Sequence, residues 1–179
     1  MPASTNSKRL FFAIWPQARV RKRIQQVRAS CCPLIGRWID PENLHVTLVF
    51  LGKVEHDRIA LAKAAASKVI IKPFQMHLDL ICASAKKGMI WMVPRTVPIT
   101  LLDLVSDLNS ALGARGFELE DRTYRPHVTL IRKLPAALEP CEFEAIQWNV
   151  RSFALVESGH RNNGRLRYVP TQDWELRGR

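Results

Sequence analysis

The chain has 179 residues, 47% hydrophobic and 24% charged, and its 27 basic against 16 acidic residues leave a formal charge of +11. That is enough chain for one domain, or two small lobes sharing a sheet, around a real core. No apolar run is long enough to span a bilayer, and the positive field attracts polyanions without telling RNA from DNA or a nucleotide.

Residues 1–7 are polar and read as a disordered tail, with one domain over 8–179. The apolar stretch Leu10–Trp15 is too short for a secretory leader core. The four cysteines, adjacent Cys31 and Cys32 with Cys82 and Cys141 apart, have neither CxxC nor zinc spacing. Free thiols in a cytoplasmic protein are expected.

Lys8–Ile14 looks like a first strand. Pro16 can open a helix in which Val20, Ile24, Val27 and Cys31 recur at helical spacing. After the turn Asp40-Pro41-Glu42-Asn43 comes an extended run from His45 to Leu51, expected to stop at Gly52. A second helix is expected from about Glu55 to Val69. Phe74, Met76, Leu78 and Leu80 then alternate as in a strand, and a basic turn, Lys86-Lys87-Gly88, leads to a short strand at Ile90–Val93. A third helix near Pro98 carries Leu101, Leu102, Val105, Leu108 and Leu112 and ends at Gly113 or Gly116. Past Tyr124-Arg125-Pro126 a second extended run begins at His127. Ile146–Val150 and Phe153–Glu157 read as strands, Ser158–Arg165 as a basic loop, and Leu166–Val169 and a segment around Trp174 close the chain.

The tetrapeptide His-Val-Thr-Leu occurs at His45–Leu48 and again at His127–Leu130, 82 positions apart. On a strand, residues i and i+2 share a face, so His45 accompanies Thr47 and His127 accompanies Thr129, while Val46, Leu48, Val128 and Leu130 face the core. Two such pairs facing each other supply an acid, a base and two hydroxyls around one group. That set suits metal-free hydrolysis of a phosphodiester. The order strand, helix, motif strand also occurs twice, over residues 8–51 and about 90–133. An α+β fold of duplicated β-α-β units, bilobal, with two facing antiparallel sheets, a central cleft and helices outside, explains both copies.

These residues resemble the 2H phosphoesterase superfamily, and within it the bacterial RNA 2′,3′-cyclic phosphodiesterases, historically called 2′-5′ RNA ligases. Beyond the motifs, the resemblance takes in Arg9–Ile14, Asn43–Gly52, Tyr124–Arg132 and Tyr168–Trp174. It implies a basic cleft, no cofactor and no metal, with His45 as proton donor to the leaving oxygen and His127 as the base that activates water. Its substrates would be RNA 3′ ends or small 2′,3′-cyclic nucleotides, opened to a 2′-phosphate, with reverse 2′-5′ joining as a side activity. A monomer without an obligate protein partner is expected.

The chemistry fits the residue types. One neutral and one protonated imidazole serve opposite sides of phosphorus near neutral pH, and bound phosphate favours the protonated form. Thr47 and Thr129 would donate to the non-bridging oxygens, although threonine is also simply favoured in strands. Arg132 matches a phosphate-contacting position of the family, yet plain alternation sets it on the face opposite His127, so a bulge or strand end must turn it inward. Phe11 or Phe12 would stack on a base or, more simply, fill the core. Arg125 serves the turn or a backbone phosphate, His56 and His77 read as surface residues, and His160 as part of a cleft rim. Two rivals remain open from sequence: action on another 2′-linked or nucleotide-derived cyclic phosphodiester, and non-catalytic binding of RNA.

Overall fold

The computed structural model describes residues 7–32, 36–84, 86–133, 141–161 and 164–178. Of the tail expected over 1–7, residues 1–6 lie outside the described residues and Ser7 already belongs to a strand. Leu134, expected to extend the second motif strand, and the side chain of Cys141 also lie outside them.

The elements are β1 (Ser7–Ile14), α1 (Ala18–Cys31), β2 (Arg37–Trp38), a single 3-10 turn at Pro41–Asn43, β3 (Val46–Glu55), α2 (His56–Ala66), β4 (Phe74–Ser84), β5 (Met89–Val93), α3 (Ile99–Gly113), β6 (Val128–Arg132), β7 (Cys141–Val150), β8 (Ser152–His160) and β9 (Leu166–Glu175). No described helix is long and apolar enough to cross a membrane.

The strands run in the order β7-β4-β5-β6-β3-β1-β8-β9, with β2 added to β6, and every pairing is antiparallel. The expected α+β class is present. The two halves, β7-β4-β5-β6 and β3-β1-β8-β9, are joined edge to edge through one ladder pair, Val46 with Val128. Each half lays its motif strand at this junction, with β1 or β5 next outward. The duplication read from sequence therefore appears as a near-mirrored strand order about β3 and β6.

The main core takes one face of each half. Leu10, Phe12 and Ile14 of β1 enter it with Leu104, Val105 and Leu108 of α3 and Trp148 of β7. Leu102, expected on the core face of α3, is exposed at 41%, and Leu104 is buried instead. The reason is helical phase: with Leu101, Leu108 and Leu112 inward, 104 and 105 continue the stripe and 102 does not. A smaller cluster on the other face joins Phe11, Ala13, Ala154 and Val156 to Trp15, Phe50 and Tyr168. Strand β1 is thus buried on both sides.

Several expected boundaries moved. Gly52 does not stop the first motif strand, which continues to Glu55. It takes a positive φ of 70° beside an unpaired Leu51, so the glycine allows a bulge rather than an end. The closing segments around Leu166 and Trp174 form one strand, and β8 extends to His160 into the supposed loop. Strand β2 has no two-residue periodicity to betray it. It is seated on β6 by Gly36, where a Cβ would stand 2.7 Å from Ile131 Cγ2.

Candidate active site

Each histidine stands immediately before its strand, at the junction of the two halves. In an antiparallel ladder fixed by Val46 opposite Val128, position 45 faces 129 and position 47 faces 127. Each motif histidine therefore sits across from the other motif's threonine. The two histidines are diagonal neighbours, about 7–8 Å apart on a regular ladder. Val46, Leu48, Val128 and Leu130 turn to the core and are at most 4% exposed. His45, Thr47, His127 and Thr129 all line one cavity of about 450 Å³.

Arg132 lines the same cavity, and a bulge brings it there. Trp91 pairs with Thr129 and Ile90 with Ile131, so Leu130 is skipped. Leu130 and Ile131 are then both fully buried, and Arg132 returns to the face of Thr129. The first motif repeats the device. Ala13 pairs with Thr47 and Phe12 with Val49, which skips Leu48 and returns Phe50 to the cavity. Phe50 and Arg132 are thus equivalent positions. In the first half the cation comes from β1, where the Arg9 guanidinium stands 4.9 Å over the Phe50 ring.

Both imidazoles are tethered alike. His45 Nδ1 lies 2.6 Å from the carbonyl of Asn43, and His127 Nδ1 lies 2.8 Å from the carbonyl of Arg125. A carbonyl can only accept, so Nδ1 carries the hydrogen in each ring and Nε2 is the basic nitrogen. His45 Nε2 is 3.1 Å from Thr47 Oγ1. Asn43 is itself buried: its Nδ2 donates to the carbonyl of Leu166, and its Oδ1 accepts from the backbone N–H of Tyr168. Tyr124 links the motifs, its hydroxyl donating to the carbonyl of Thr47 at 3.0 Å.

The surroundings of the two rings differ. His45 is boxed by Trp15, parallel to it at 5.0 Å between centroids, and by Phe11 and Tyr168, each at 5.1 Å. Burial in this box brings its pKa down to about 4, with the charge of Arg132, and that of His127 when it is protonated, adding to the effect. Among the described residues His127 has one ring neighbour, Trp91, edge-on at 5.9 Å. Its pKa is also lowered, first by burial and then by Arg122, Lys87 and Arg132. Without an anion present, both imidazoles are neutral at pH 7.

The remaining sequence candidates fall as follows. Phe11 is buried beneath His45 and Tyr168, and Phe12 belongs to the core against Phe153 and Trp174. His160 is exposed and lines the cavity rim, while His56 and His77 are on the surface. Arg125 lines a second cavity, of about 580 Å³, on the Trp91 side of His127. Among the described residues, no three His, Cys, Asp or Glu side chains converge as metal ligands would. Sequence reasoning missed Trp15, Tyr168, Tyr124 and the clamp made by Asn43. Trp15 follows the first strand and is set beside His45 by the pairing of β1 with β3, while Tyr168 lies on the last strand and is brought there by the pairing of β1 with β8 and β8 with β9.

The family described as LigT like Phosphoesterase matches residues 14–91. A protein of Escherichia coli (strain K12) named RNA 2′,3′-cyclic phosphodiesterase is 32% identical over 174 residues, covering 94% of this chain and 97% of its own. The crystal structure of E. coli LigT complexed with 3′-AMP superimposes with a TM-score of 0.86 at 31% identity, over 95% of this chain and 98% of that one. A crystal structure of a Thermus thermophilus protein gives 0.80 at 26% identity, over 95% and 98%.

Proposed function

The chain belongs to the LigT-like phosphoesterase family, and on that premise we propose that it hydrolyses the 2′,3′-cyclic phosphate at RNA 3′ ends, or on small nucleotides, to a 2′-phosphomonoester. The observation that carries this reading is the ladder pair Val46–Val128, which sets each histidine across from the other motif's threonine on the wall of one cavity.

In this reaction His127 Nε2 takes a proton from water as the water oxygen bonds to phosphorus. The bond from phosphorus to the 3′ oxygen breaks, and that oxygen takes the proton held on His45 Nε2. The 2′ ester bond is untouched. Thr47 and Thr129 donate to the non-bridging oxygens, and the Arg132 guanidinium supplies charge-assisted bonds to the same atoms. Which histidine gives and which takes follows the family resemblance.

The lowered pKa of His45 bears on this assignment. An acid must hold a proton when the substrate is bound, and burial alone disfavours that. The anionic phosphate favours the imidazolium. The proton is therefore expected to arrive with the substrate. With a 5′-hydroxyl in place of water on the His127 side, that oxygen bonds to phosphorus as the 3′ oxygen leaves, which gives 2′-5′ joining as a side activity.

The decisive experiment incubates the protein with a short RNA ending in a 2′,3′-cyclic phosphate and identifies the product. A terminal 2′-phosphate supports the reading. A 3′-phosphate, or turnover confined to 2′-5′-linked dinucleotides, removes it.

A further inference from the structure

Behind Arg132 lies a third cavity, of about 490 Å³, continuous with the one that holds both histidines through Ile39, Asn43, Arg132 and Leu166, which line both. Its walls carry four guanidinium groups, Arg28, Arg37, Arg132 and Arg165, against one carboxylate, Asp40. Asp40 faces Arg165 at 3.4 Å, which leaves the wall strongly cationic.

Two of these arginines are held in place with donor atoms unused. Arg28 is 5% exposed, lies 4.5 Å over the Trp38 ring and donates from Nη1 to the carbonyl of Ile39 at 2.7 Å. Its Nε, and that of Arg132, are buried with no hydrogen-bond partner among the described residues. Four guanidinium groups against one carboxylate make an anion the natural complement of this wall. Burial also works against the Arg28 charge, a cost that a neighbouring anion relieves.

We infer that this cavity is a second phosphate subsite, which takes the phosphate on the 5′ oxygen of the nucleotide whose cyclic phosphate lies between His45 and His127. It rests on the hydrolytic reading of the neighbouring cavity and deepens it. The 5′ phosphate is the internucleotide phosphate of an RNA chain, so the subsite distinguishes a polynucleotide end from a bare nucleoside cyclic phosphate. Arg132, lining both cavities, then serves two successive phosphates.

The test compares a nucleoside 2′,3′-cyclic phosphate bearing a 5′-hydroxyl with the same compound bearing a 5′-phosphate. The 5′-phosphate is expected to raise kcat/KM at least about tenfold, mainly through KM and less at high salt. Arg37→Ala removes an exposed side chain on β2. It should cut that preference to about threefold or less while hydrolysis of the 5′-hydroxyl compound stays within about threefold of wild type, and Arg37→Lys should restore part of the preference. Equal rates on both compounds in the wild type, or a preference unchanged in Arg37→Ala, overturn the subsite alone. A protein that hydrolyses neither compound overturns the phosphodiesterase reading and the subsite with it.

Discussion

Trp15 lies against His45 with the two rings 12° from parallel and 5.0 Å between centroids, an offset stack of the indole on one face of the imidazole. Phe11 and Tyr168 close two further sides. The protein thus keeps a titratable ring neutral by taking water away from it. The folded pKa of about 4 is below the ordinary 6.5, so the unfolded chain binds a proton between those values that the native state refuses. This stabilisation is complete above pH 6.5 and is lost as pH falls through 4, and amounts to about 3 kcal/mol. Thermal melts from pH 7 to 4 should show falling stability, and His45→Asn should flatten that slope. In an NMR titration, Trp15→Ala should move the His45 midpoint upward; a wild-type midpoint near 6.5 would contradict the box.

The pH–rate profile follows from the same two rings. kcat/KM reports groups of the free protein, and both are lowered from 6.5. Its bell should lie on the acid side of pH 6.5. Under saturating substrate the bound phosphate favours the imidazolium, so the kcat profile should shift to higher pH. A kcat/KM maximum above about pH 7.5 would rule out this ordering.

Removing either imidazole should be severe and local. His45→Ala or His127→Ala is expected to lower kcat at least about 10²-fold with circular dichroism unchanged, and Thr47→Val or Thr129→Val about 10²-fold. Activity should persist in EDTA. Loss on chelation, restored by a divalent metal, would displace the two-histidine mechanism.

Tyr124 tests the link between the motifs. Its buried hydroxyl, whose pKa burial raises, donates to the Thr47 carbonyl. Tyr124→Phe deletes the donor and leaves that carbonyl unpaired, at a cost of about 1–3 kcal/mol of stability by denaturant unfolding. A change within about 0.3 kcal/mol would mean that water replaces the bond.

Much of this was legible in the sequence because the signals are local. The i, i+2 spacing of His45 and Thr47 fixes their common face once the segment is extended, and Val46 and Leu48 declare the other face by hydropathy. Arg132 shows where such reading stops. Alternation alone turns it away from His127, and only the pairing that skips Leu130 turns it back. A bulge belongs to two strands at once and leaves little trace in either. Trp15 and Tyr168 were illegible for a related reason, since β1 reaches His45 by pairing with β3 and β9 reaches it through β8, both from far away in the chain. Gly52 signalled a break correctly in kind but not in effect, because a positive φ serves a bulge as well as a turn.

Because Nδ1 of each ring is bonded to a carbonyl two residues earlier in its own chain, and the strands that follow are locked together at Val46–Val128, orientation and separation of the imidazoles are both fixed by main chain. Nothing has to be assembled when substrate arrives, so the reorganisation that slows many catalysts is completed once, during folding. A compact five-coordinate oxyanion such as vanadate should accordingly seat itself without any closing motion.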